Sequence, residues 1–158
     1  MAKNRQRTDE LIDALVWMRR QESSPIGAAS NDTQAERDAI ARLAKSVVER
    51  LDQSVILRRI DAHIGEWTPS VSRCHDNVAI WVAKNPQHKH VFGFIYMDLR
   101  PNAQYIRLMA HSAVETEDGA LCDITPHRAP IDYPFIRHVG TQEEFDLFGK
   151  AGHFDQPV

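Results

Sequence analysis

Apolar residues recur at helical spacing through the first third of the chain and crowd into strand-like runs beyond it. After Thr8, residues Leu11, Ile12, Leu15, Val16 and Met18 share one stripe of a predicted helix. Residues 23–32, with Ser, Pro, Gly and Asn, read as a loop. Thr33-Gln34-Ala35-Glu36 then forms a capping box, in which each side chain satisfies the other residue's backbone N–H. Ile40, Leu43, Ala44, Val47, Val48 and Leu51 give the helix that follows its apolar face. After a break at Asp52-Gln53-Ser54, residues 55–64 are expected to continue as helix.

The pattern changes near Trp67-Thr68-Pro69. A short helix is predicted over residues 77–84, with Cys74 close to its start and Pro86 closing it. Residues 90–98 are aromatic and β-branched, hence a strand, with Gly93 read as a bulge. Arg100-Pro101-Asn102 makes a turn, residues 104–116 a long strand, and Glu117-Asp118-Gly119 a hairpin turn. Residues 120–124 return as a strand, and residues 133–138 add another. A second capping box, Thr141-Gln142-Glu143-Glu144, opens a small helix to residue 148. Helices followed by an antiparallel meander place the chain in the α+β class. The expectation is one domain over 1–158: a helical part (1–66), a helix-plus-antiparallel-sheet core (67–140), and a C-terminal helix and tail (141–158).

Composition narrows the function classes. The 158 residues carry a net charge of -3, with 42% hydrophobic and 26% charged residues. This balance suits a globular domain and offers no basic footprint for nucleic acid. Lys3, Arg5 and Arg7 form the one basic cluster. The first apolar run is broken by Asp13, unlike a secretory signal, and no run is long enough for a bilayer. With two cysteines, reduced thiols and a cytoplasmic location are expected, without membrane partners.

Three residues carry candidate chemistry. Cys74, at a helix start, meets unpaired backbone N–H groups and the positive end of the helix dipole, which favour thiolate. Lone cysteines are ordinarily small core hydrophobes. Ser72, Arg73, His75 and Asp76, however, make a polar setting, and Arg73 and His75 add positive field. His111 shares a strand face with Tyr105, Arg107, Met109, Ala113 and Glu115 if alternation holds, opposite Ile106, Leu108, Ala110, Ser112 and Val114. Asp123, a few residues past the Asp118-Gly119 turn, returns towards His111 and would fix its tautomer. Asp118 and Asp98 are alternative partners. A nucleophile, a base and an orienting carboxylate are the parts of covalent acyl transfer. The Cys74 N–H would serve as one oxyanion donor, with Trp67, Thr68, Ser70 and Ser72 as candidates for a second. Asn77 shares the cysteine's helical face and is a candidate for substrate contact or for bracing the helix start.

Cys74 at a helix start, the run His111-Ser112-Ala113-Val114-Glu115, Asp118-Gly119, and Asp123-Ile124-Thr125-Pro126 together resemble the transglutaminase-like (papain-like) cysteine enzyme core. The resemblance covers residues 67–126, and separations of 37 and 12 residues between Cys, His and Asp suit compact members. It departs from the family at Arg73, where a small residue is frequent, and at Ala113, where an aromatic is. It implies a Cys74–His111–Asp123 triad, a thioester on Cys74, no cofactor, and an amide-bearing small molecule, peptide or protein as substrate.

Two rival readings stand beside it. A catalytically inactive relative would use the same fold to hold a ligand or partner. A metal-binding protein would draw on Cys74, Cys122, His75, His88, His90, His111 and His127, but the zinc spacings Cys-x-x-Cys and His-Glu-x-x-His are absent, so no metal is expected. Trp67, Trp81, Phe92, Phe94 and Tyr96 are read as core residues, and Cys122 as a core thiol on the opposite strand face from Asp123.

Overall fold

In the computed structural model, residues 33–127 and 132–157 are described. The chain divides into two units, and every element below belongs to the one formed by Asp32–Pro126 and Asp132–Val158. Of the other, Met1–Asn31 with His127–Ile131, only His127 is described. The helix predicted after Thr8 lies outside the described residues.

Both capping boxes form. The Glu36 N–H donates to Thr33 Oγ1 at 3.2 Å and the Thr33 N–H to Glu36 Oε2 at 2.6 Å, starting helix α1 (Gln34–Val48). Thr141 and Glu144 start α4 (Gln142–Ala151) in the same way. Between them run β1 (Val55–Ile56), β2 (Arg58–Arg59), α2 (Cys74–Lys84), β3 (Lys89–Asp98), the one-turn α3 (Arg100–Ala103), β4 (Tyr105–Glu115), β5 (Leu121–Asp123) and β6 (Pro134–Arg137). A last strand, β7 (His153–Pro157), follows α4. The architecture is mixed α+β, with four α-helices and a seven-stranded sheet among the described residues.

The strand order is β1-β6-β3-β4-β5-β2, with β7 also paired to β4. All pairings are antiparallel except β2 with β5. Strands β1 and β2 pair opposite ends of this path, yet only Leu57 separates them in sequence. The sheet must therefore curl until its ends nearly meet. Leu57 packs inside the curl with Val91, Ala113 and Phe135. Gly93 lies on the same inner face, opposite His111 in an uninterrupted register, so the expected bulge is absent. A Cβ there would stand 2.3 Å from both the Phe135 ring and the Ile136 carbonyl oxygen, so glycine is required by close approach.

The outer face carries the helices. Phe94, Ile106, Leu108 and Ile136 pack against Ile40, Ala44 and Val47 of α1 and Phe145 and Phe148 of α4. Val78, Trp81 and Val82 of α2 cover Val114, Cys122 and Ile124. None of the described helices is long and apolar enough to cross a membrane.

Residues 55–64 do not continue as helix. Val55 and Ile56 are exposed, so a helical stripe there would have no core to face. Their backbones instead pair with β6, while Arg58 and Arg59 pair with β5. Tertiary pairing of a β-branched run has overridden its local periodicity. The predicted C-terminal tail is also a strand: β7 lies along the first half of β4, Tyr105 opposite Pro157 and Met109 opposite His153.

One consequence of this pairing positions the site. The edge of β4 turned away from β3 is paired by β7 over residues 105–109 and by β5 at Val114 and Glu115. Between them, residues 110–113 have no partner strand on that edge among the described residues. The first turn of α2 reaches this stretch, its His75 bonding Ser112.

Candidate active site

Cys74 is the first residue of α2, preceded by Arg73, whose side chain does not cap the helix, and by Ser72 at a left-handed φ of 62°. The opening N–H groups of the helix have no acceptor within it, and its dipole adds positive potential at the sulfur. Burial pushes the half-buried thiol up. Hydrogen bonds from His111 and His75, with the positive charge those rings can carry, outweigh burial and bring it down to about 6. Arg73 is engaged elsewhere, its Nε donating to Asp76 Oδ2 at 2.8 Å.

His111 lies in β4 on the predicted face, 5% exposed, with its ring edge-on to Phe135. Its Nε2 is 3.0 Å from Asp123 Oδ2. The register explains the meeting: Val114 opposes Cys122, so Asp123 follows on the inner face, diagonally across from His111. Asp123 is 4% exposed, and its Oδ1 accepts the Thr125 N–H at 2.8 Å, so both oxygens are held. Burial alone would lower the His111 pKa. Hydrogen bonds to Asp123 and to Cys74 reverse this and raise it to about 9. The other carboxylates considered are engaged elsewhere: Asp98 binds Arg100, and Asp118 accepts from Thr116 in the hairpin turn.

The remaining candidates have separate roles. Asn77 is 2% exposed; its Oδ1 accepts the Ser70 N–H at 2.9 Å. Its Nδ2 donates to the Ser70 carbonyl at 2.8 Å and to Thr125 Oγ1 at 3.2 Å. It clamps the segment before Cys74 to the end of β5, which is the bracing role. Trp67 closes a tight turn through paired backbone bonds with Ile64. It lines an open groove of about 500 Å³ with Ser70, Arg73, Asp76, Asn77, Ala79 and Ile80. Ser72 is exposed beside the cysteine. Cys122 is buried beneath α2 and raised by burial; both cysteines are free.

Sequence reasoning missed a polar chain behind the cysteine. Ser112 Oγ, fully buried, lies 2.6 Å from His75 Nδ1 and 2.8 Å from His90 Nε2. His90 and Ser112 are diagonal neighbours on the outer face, since Phe92 opposes Ser112. The available signal was a serine at an otherwise apolar position of a strand whose neighbour carries a histidine at its second position.

No family model matches the chain, and neither a curated protein nor a solved structure was found similar to it.

Proposed function

We propose that this protein is a cysteine-dependent hydrolase or acyltransferase that acts on an amide, either peptide or glutamine-type, in the cytoplasm and without a cofactor. Its core would be of the transglutaminase-like (papain-like) kind. The observation that carries the reading is His111 Nε2 held 3.0 Å from Asp123 Oδ2, with Cys74 at the helix start as a thiol that His111 helps to lower. With the thiol lowered and the imidazole raised, the proton rests on His111, and the sulfur is a thiolate at neutral pH.

The thiolate attacks the amide carbon, and the carbonyl oxygen gains negative charge facing the opening N–H groups of α2. His111 gives its proton to the nitrogen as the C–N bond breaks, releasing an amine and leaving a thioester on Cys74. Water or a second amine then attacks the thioester carbon. His111 takes the proton of the attacking group, and Cys74 leaves as thiolate. Asp123 stays ionised throughout and steadies the imidazolium.

The test is labelling with a panel of electrophilic amide and ester probes, read by mass spectrometry for the acyl group left on Cys74. A thioester on Cys74 that is lost in His111→Ala supports the reading. Equal, slow labelling of Cys74 and Cys122 by every probe would overturn it in favour of an inactive, ligand-holding protein.

A further inference from the structure

Two histidines, His111 and His75, act on the Cys74 thiol, and only His111 has a role in the mechanism above. His75 follows Cys74 in the first turn of α2, and its ring is held on the outer face of the sheet. Phe145 meets it edge-on at 5.5 Å, Phe92 lies tilted at 6.5 Å, and Nδ1 bonds the Ser112 hydroxyl. Ser112 in turn bonds His90, whose ring stacks on Phe92 at 4.1 Å. A buried serine joined to two imidazoles, with aromatic walls, is a costly arrangement for a helix that needs only apolar contact with the sheet.

We infer that His75 is a second hydrogen-bond donor to the Cys74 thiolate, and that Ser112 and His90 are positioning residues that set its tautomer. This deepens the reading of Cys74 as nucleophile and rests on it. A hydroxyl donates one proton, so the chain has two possible orders. In the order that serves a thiolate, His90 Nε2–H donates to Ser112, and Ser112 donates to His75 Nδ1. The His75 proton is then on Nε2, available to the sulfur. Burial, together with the charge His75 can carry, holds His90 down to about 4.

Among the described residues, other titratable groups around the thiol and this chain include His111 and Asp123 on the inner face, Arg73 and Asp76 paired on α2, and His138, whose ring packs on Phe145.

The experiment uses the full chain in a Cys122→Ser background, following iodoacetamide alkylation of Cys74 across pH. In His75→Gln the acid limb of the profile should move up by about one pH unit, the worth of one charge-assisted hydrogen bond. His90→Phe keeps the stack on Phe92 but cannot donate, so it should move the limb in the same direction by a smaller amount. Far-UV circular dichroism establishes that each variant is folded, and His90→Phe serves if His75→Gln is not. Unchanged profiles in the folded variants overturn the inference. A shift in His111→Ala with none in the other two removes the role of His75 and leaves the proposed nucleophile standing. Shifts in all three without any acyl transfer support the inference and remove the enzymatic reading.

Discussion

Replacing Asp123 by asparagine isolates the part played by one negative charge. The asparagine carbonyl can still accept the Thr125 N–H that Oδ1 now accepts at 2.8 Å, so the turn after β5 is kept. What is lost is the carboxylate 3.0 Å from His111 Nε2. His111 lies at about 9 rather than the ordinary 6.5, which is roughly 3 kcal/mol of preference for the imidazolium. Burial opposes that preference, and Asp123 is the largest favourable contribution to it. In Asp123→Asn the buried ring becomes neutral near pH 7, and the thiol loses its charged partner. Cys74 should rise from about 6 towards the range of an ordinary thiol, so alkylation at pH 7 slows by on the order of 10- to 100-fold. The rates should converge above pH 9, where both proteins are thiolate. The assay is site-resolved iodoacetamide labelling, with Cys122 as internal reference. A variant with the wild-type profile would refute the reasoning, and so would a slowdown equal at every pH, which reports access rather than ionisation.

Stability should carry the same signature. The raised pKa of His111 stabilises the fold fully below about pH 6.5 and is lost as pH rises through about 9. The lowered pKa of Cys74 stabilises it above about 9 and is lost as pH falls through about 6. Between them the two slopes cancel, so thermal melts of Cys74→Ser should lose up to about 3 kcal/mol relative to wild type between pH 6.5 and 9; parallel curves would contradict this. Gly93→Ala forces a methyl into Phe135 and the Ile136 carbonyl and should cost about 3 kcal/mol in urea unfolding; a cost below about 0.5 kcal/mol would show that the inner face yields. Asn77→Ala removes three hydrogen bonds around Ser70 and Thr125 and should cost about 2 kcal/mol, while slowing Cys74 alkylation as the preceding segment relaxes. Arg107 donates from Nε and Nη2 to Asp155 at 2.7 and 2.8 Å; Arg107→Leu leaves that carboxylate without its cation and should cost about 3 kcal/mol, with hydrogen exchange rising first in β7.

Where local signals and tertiary structure agree, the sequence was readable. Both capping boxes, the Asp118-Gly119 turn with Gly119 at φ 83°, and the alternation that puts His111 and Ser112 on opposite faces are local patterns, and each holds. Residues 55–64 were misread because their conformation is set by β6 and β5, which come more than fifty residues later. Strand β7 was missed because His153-Phe154-Asp155-Gln156-Pro157 has little apolar alternation; its place comes from β4 and from the Arg107–Asp155 pair. The meeting of His111 with Asp123 was legible because a tight turn limits register. The role of His75 was not, since Ser112 and His90 reach it from other elements.

The unpaired stretch of β4 connects fold and chemistry. A strand paired along both edges would separate its two faces, and a helix packed on the outer face could not reach a histidine on the inner one. Because β7 stops at Met109 and β5 begins pairing at Val114, the first turn of α2 can stand beside the strand itself. Cys74 and His111, on the inner face, then shift each other's ionisation, while His75, the next residue, bonds Ser112 on the outer face. Adjacent residues of the helix thus draw on adjacent residues of the strand. Extending β5 or β7 by two residues would close this opening and should silence the thiol without touching any of the residues that surround it.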